Sequence, residues 1–297
     1  MAAVHSPTTA PARAKIALIG CGLMGTGLAR LFRGVHWPVS AWDQDARALA
    51  RLCKDVPGVV AAKDLEGAVG DADLVIEAVA ELPSIKQTLF AELAAHTSSH
   101  TLLATNSSVI PVAVVTAKVS DGDADRVLGT HFWNPPDLIP LVEVIQGPRT
   151  SEASILRAIG LLEAAGREPV HVHADVVPGN RLQHALWREA MALVDEGVCS
   201  PQDVDRIIKR SFGARLAVLG PLENADLVGL ELTRQIHEVV LPHLSRATQP
   251  AAGLLERLAA GRTGIASGSG FYPQWSETSI AALRARLAGH LVKAFSR

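Results

Sequence analysis

The feature that most narrows the fold is the apolar run Lys15-Ile16-Ala17-Leu18-Ile19, which ends in Gly20-Cys21-Gly22-Leu23-Met24-Gly25. Leu23, Leu28, Leu31 and Phe32 then follow at roughly helical spacing. Strand, glycine turn and helix in this order make the first half of a βαβ unit over Lys15–Asp43. Gly20 permits the tight turn, Gly22 lets a pyrophosphate approach the backbone, and Gly25 lets helix and strand pack closely. The helix N-terminus presents unpaired N–H groups to the phosphates. Gly20, Gly22, Leu23, Met24 and Gly25 are therefore expected to bind a dinucleotide. Asp43 closes the second strand eighteen residues after Gly25. Its carboxylate there can accept both ribose hydroxyls and repel a 2′-phosphate, so NAD is expected over NADP. A glycine-rich loop without a ligand is the competing reading, and the strand before it and the helix after it argue against it.

The pattern continues with strands expected at Pro38–Trp42, Val59–Ala61, Leu74–Ile76 and Leu102–Ala104, with helical patterns between most of them. Alternation of this kind predicts an α/β class, a doubly wound parallel Rossmann sheet. Two further strands, around Arg126–Thr130 and at Leu141–Ile145, flank a Pro-Pro turn. A helix over Ser151–Ala165 and a strand over Pro169–Val172 follow. Beyond Asn180 helical periodicity dominates, with Leu182, Ala185, Leu186, Ala190 and Leu193 on one stripe and Val204, Ile207 and Ile208 on another. The expected organisation is a disordered tail over 1–14, a Rossmann domain over 15–174 and an all-α substrate and dimerisation domain over 175–297. Leu216–Val239 is more apolar than a small domain needs, so a homodimer through the helical domain is expected.

With a net charge of −2 and 20% charged residues there is no strong field of either sign. Nucleic acid and membrane are therefore excluded as expected partners, which leaves a small-molecule substrate. Cys21, Cys53 and Cys199 lack Cys-x-x-Cys spacing, which predicts neither disulfide nor zinc cluster and suits a reducing cytoplasm. The first residues hold no apolar run of signal-peptide length. His171-Val172-His173 puts two imidazoles on one strand face without a third ligand nearby, so no metal is assigned.

His131 lies just after an expected strand, and Glu143 lies twelve residues on, across the Pro-Pro turn. Two such strands can bring Glu143 against His131, making an oriented general base. A packed structural histidine and a solvated glutamate remain open alternatives on spacing alone. From Ile16 to about Phe271 the order of motifs resembles the 3-hydroxyacyl-CoA dehydrogenase superfamily. The matching pieces are the glycine turn, Ile76-Glu77-Ala78-Val79-Ala80-Glu81 with Lys86, Thr105-Asn106-Ser107-Ser108, His131–Pro135, Leu141-Val142-Glu143, Gly179-Asn180-Arg181-Leu182 and Gly268-Ser269-Gly270-Phe271.

The resemblance implies NAD as cofactor, His131 as general base, Glu143 as its orienter, and Ser108 and Asn180 as hydrogen-bond partners of the substrate. It also implies that Met24, Glu81, Lys86, Asn106 and Asn134 contact the cofactor. From the residues alone, Lys86 could equally face solvent, Glu81 could cap its helix, and Asn180 could be only an N-cap. Arg188 could hold a substrate carboxylate or form an external salt bridge, and Glu223 and Asp226 read as caps.

Acyl-CoA members of the superfamily carry a long helical hairpin that holds CoA between the second and third strands. Here only Gln44–Gly58, fifteen residues, separate Asp43 from Val59. The segment Asn134–Glu143 also resembles the branch that oxidises small free acids such as gulonate, carnitine or pyridoxine-derived hydroxy acids. Ile265-Ala266-Ser267 stands where family members place a cofactor-contacting lysine. The expected reaction is therefore NAD-dependent interconversion of a 3-hydroxy acid, or 3-hydroxyacyl compound, and its 3-oxo form. Two readings stay open beside it: a true 3-hydroxyacyl-CoA dehydrogenase of fatty-acid or polyketide metabolism, and a non-catalytic NAD-binding protein.

Overall fold

The computed structural model describes residues 13–295; residues 1–12 of the expected tail lie outside the described residues, and Ala14 packs in the core. The chain divides into two units, one comprising the described residues to Pro178 together with those from His290, the other Gly179–Gly289.

The first unit alternates strand and helix: β1 Ile16–Ile19, α1 Leu23–Gly34, β2 Val39–Trp42, α2 Ala46–Asp55, β3 Val60–Ala61, α3 Leu65–Val69, β4 Leu74–Glu77, α4 Pro83–His96 and β5 Leu102–Thr105. It continues with α5 Val112–Val115, α6 Asp121–Ala124, β6 Val127–Phe132, β7 Leu141–Ile145, α7 Glu152–Ala164 and β8 Glu168–Val172. Among the described residues these strands form one eight-stranded sheet in the order β3-β2-β1-β4-β5-β6-β7-β8. β1, β4 and β5 are buried along their whole length, because helices cover both faces of the sheet and apolar clusters fill both layers.

The sheet is parallel as expected except at one pair, β6 and β7, which run antiparallel. Residues 133–140, which join them, hold no helix and are too few for a parallel crossover, which takes a dozen or more. That reversal makes the site, because it sets His131 directly opposite Glu143 in the register.

Side-chain caps close three helices of the first unit: Asp45 accepts from Arg47 N on α2, Asp64 from Gly67 N on α3 and Ser151 from Ser154 N on α7. The N-terminus of α1, at Gly22, has no side-chain cap.

The second unit is helical: α8 Pro178–Asp195, which starts one residue before the unit, then α9 Pro201–Arg210, α10 Phe212–Arg215, α11 Pro221–Val228, α12 Leu230–Val240, α13 Ala252–Ala259 and α14 Glu277–Phe295, whose end belongs to the first unit. In α11 Glu223 accepts from Gly220 N at 2.8 Å and so caps the helix as expected. Asp226 does not: it sits beyond the first turn, where its backbone carbonyl accepts from Gly229 N. No helix of the described residues is long and apolar enough to cross a membrane.

Candidate active site

At the carboxyl ends of β1, β2 and β4 lies a cavity of about 590 Å³ whose lining includes Gly20, Gly22, Trp42, Asp43, Ile85 and Thr88. Gly20 has φ +100°, a conformation open to glycine, and a Cβ there would lie 2.5 Å from the Ala78 carbonyl oxygen. A Cβ on Gly25 would stand 1.9 Å from the Gly20 carbonyl oxygen, so helix and strand are as close as the pattern requires. Over Gly22 nothing lies within 4 Å, which leaves the uncapped end of α1 open to a phosphate. Asp43 does more than the sequence indicated: its Oδ2 accepts from Cys21 N at 2.7 Å and its Oδ1 from Asp45 N at 2.8 Å. The carboxylate thus braces the turn from which it would address a ribose. Cys21 is buried, and desolvation together with the neighbouring Asp43 carboxylate pushes its thiol up to about 12, so it stays protonated. This turn, its open helix end and Asp43 fit an NAD pyrophosphate and ribose.

The dyad forms as expected. His131 Nδ1 meets Glu143 Oε2 at 2.7 Å, with both residues 4% exposed. With Nδ1 committed to the carboxylate, the other ring nitrogen is the acceptor, and Ser108 Oγ stands 3.0 Å from it. The Trp133 ring packs edge-on against the imidazole at 5.3 Å between centroids. Asn106, expected at the cofactor, accepts from Phe132 N at 3.0 Å and so pins the end of β6 to the segment after β5.

Lys86 does not face solvent. It is 1% exposed, and its Nζ lies 2.6 Å from Glu77 Oε1 and 3.5 Å from Glu81 Oε2. Glu81 does not act as a helix cap either; its carboxylate accepts from Ser107 Oγ at 2.8 Å and from Ser108 N at 3.2 Å. Glu77, 0% exposed, also accepts from Val79 N and from Thr105 Oγ1. Sequence reading gave Glu77, Thr105 and Ser107 no role. The available signal was a carboxylate closing an otherwise apolar strand.

Leu23 is exposed at the start of α1, Met24 half-buried beside it, and Asn134 exposed after β6. In the second unit Asn180 is not an N-cap: α8 begins at Pro178, which puts Asn180 in its first turn. Arg188 is exposed on the same helix. The rings of His171 and His173 lie 3.8 Å apart between centroids, tilted by 42°, and burial with the neighbouring His173 lowers the pKa of His171. Among the described residues no group of three or more His, Cys, Asp or Glu is placed to hold a metal ion.

Two family models match the chain: 3-hydroxyacyl-CoA dehydrogenase, NAD binding domain, over residues 56–176, and 3-hydroxyacyl-CoA dehydrogenase, C-terminal domain, over residues 178–274. The 5-formyl-3-hydroxy-2-methylpyridine 4-carboxylate 5-dehydrogenase of Mesorhizobium japonicum is 35% identical over 93% of this chain and 96% of its own. The L-carnitine dehydrogenase of Streptomyces coelicolor is 34% identical over 73% of this chain and 74% of its own. A crystal structure of the pyridine-carboxylate 5-dehydrogenase, described as an NAD⁺-dependent dismutase, superposes with a TM-score of 0.86 at 33% identity, covering 94% of this chain and 96% of the other. The 3-hydroxyacyl-CoA dehydrogenase of Archaeoglobus fulgidus superposes with a TM-score of 0.71 at 29% identity, covering 94% and 98%.

Proposed function

The chain belongs to the 3-hydroxyacyl-CoA dehydrogenase family, and from that premise we propose that it interconverts a free 3-hydroxy acid and its 3-oxo form, with His131 as the general base. The observation that carries the choice of a free acid is the connection from β2 to β3. A single ten-residue helix, α2, fills it, where acyl-CoA members carry the hairpin that holds CoA. The higher TM-score to the pyridine-carboxylate enzyme than to the archaeal CoA enzyme, 0.86 against 0.71, supports the same choice.

In the proposed mechanism Glu143 holds the proton on His131 Nδ1, which leaves Nε2 to take the substrate hydroxyl proton. The Ser108 hydroxyl, already at Nε2, and the Asn180 amide donate to the carbinol or carbonyl oxygen and stabilise charge as it develops there. NAD, when bound, supplies the hydride acceptor. Asp43 selects NAD over NADP by repulsion of a 2′-phosphate. The test is an NADH-absorbance screen across free 3-hydroxy acids and their CoA esters, with expected turnover of at least one free acid and a higher kcat/KM with NAD than with NADP. A protein that binds NADH and turns over no member of the panel contradicts the reading and favours a non-catalytic NAD-binding role.

The second unit supports a homodimer. Val218 is 87% exposed and Leu222 80%, with Leu227, Leu230 and Val239 exposed along the same helical stretch. So many large apolar side chains on neighbouring helices are unfavourable in water unless a second copy covers them. Sedimentation at micromolar concentration is expected to give a dimer, and a monomer there would contradict it. Free Cys21, Cys53 and Cys199 fit a reducing cytoplasm.

A further inference from the structure

Glu77 is the one carboxylate of the site with 0% exposure, and it can touch neither substrate nor cofactor. Burying it with Lys86 is a poor way to gain stability, because desolvation of two charges offsets much of their attraction. The sheet does not need the pair: Glu77 and Thr105 are already register partners, and Asn106 N donates to the Glu77 carbonyl at 2.9 Å.

What the carboxylate adds is direction, along two branches. Through Oε1 it holds Lys86, whose Nζ reaches Glu81, and Glu81 grips Ser107 Oγ and Ser108 N. Through Oε2 it accepts from Thr105 Oγ1 at 2.8 Å, and that hydroxyl accepts from Ser107 N at 3.2 Å. Both branches end on the Ser107-Ser108 turn, and Ser108 Oγ is the atom at His131 Nε2.

We propose that Glu77 is a positioning residue, which through Lys86–Glu81 and through Thr105 fixes Ser108 against His131 Nε2. The inference rests on the catalytic reading of His131 and Ser108, and its test requires no turnover. In ligand-free full-length protein carrying [¹⁵N]histidine, the His131 Nε2 resonance is assigned by its loss in His131→Gln. Ser108→Ala is expected to move that resonance. Glu77→Gln moves it in the same direction, and the double variant Glu77→Gln/Ser108→Ala adds little more, because one substitution acts through the other.

With the fastest substrate of the panel, Glu77→Gln is expected to lower kcat about 10–100-fold, the scale of a misplaced catalytic group, with Kd for NADH kept within about threefold. Should Glu77→Gln fail to fold, Glu77→Gln/Lys86→Met removes both charges together and is expected to show the same shift. A His131 resonance left in its wild-type place by Glu77→Gln while Ser108→Ala moves it overturns the inference. So do shifts of the two substitutions that simply add, or a Ser108→Ala spectrum unchanged at His131. The catalytic reading fails separately, on the turnover of His131→Ala.

Discussion

Replacing His131 with alanine is expected to lower kcat by roughly 10²–10⁴-fold, the usual contribution of a positioned general base. The imidazole is buried between Glu143 at 2.7 Å and Ser108 at 3.0 Å, so the substitution removes the group that would take the proton. Affinity for NADH should change little, because His131 is not among the residues lining the dinucleotide cavity. A loss in kcat without a loss in cofactor binding is the signature of an interaction made in the chemical step. A variant within about threefold of wild type would remove His131 from the mechanism.

The second large effect is on stability. Lys86→Met leaves Glu77 buried without its counter-charge, and breaking a buried pair from one side costs about 3–5 kcal/mol. For a unit of this size that corresponds to a fall in Tm of roughly 6–20 °C. Adding Glu77→Gln to Lys86→Met should restore a good part of the loss, because the uncompensated charge is then gone. A Lys86→Met protein with wild-type Tm would show that Glu77 is not held as a buried anion. The two substitutions separate the roles of the network: the double variant recovers stability and still misplaces Ser108.

Much of this was legible in the sequence, and each success has a physical reason. The glycine turn follows from steric rules that no context overrides: only glycine fits where a Cβ would meet the Gly20 carbonyl oxygen at 1.9 Å. The pairing of His131 with Glu143 was readable because a connection as short as 133–140 brings the two strands side by side. Glu77 stayed without a role because its partners arrive from α4 and β5, elements whose register the chain order alone does not specify. Lys86 left a clearer trace: Leu89, Phe90 and Leu93 follow it at the third, fourth and seventh positions and are buried, which places the ammonium on the inner face of α4. The N-cap alternative for Asn180 falls because Pro178, a favoured first residue of a helix, is the start of α8.

Glu81 and Asn106, which the resemblance sets at the cofactor, also hold the protein frame. Asn106 fastens β6, and Glu81 fastens the turn that carries Ser108. A dehydrogenase needs its base, its hydroxyl donor and its hydride acceptor fixed to within a fraction of an ångström, so residues that lock the frame matter alongside those that touch the ligand. The network from Glu77 to Glu143 is built in that way, on the ends of four adjacent strands of one rigid sheet.

The central claim, an NAD-dependent dehydrogenase of free hydroxy acids, is tested most directly by initial rates of NADH formation from a free 3-hydroxy acid and from its own CoA ester. The single helix between β2 and β3 predicts a higher kcat/KM for the free acid, by at least about tenfold, the equivalent of 1.4 kcal/mol of transition-state binding. Faster turnover of CoA esters than of every free acid on the panel would contradict it.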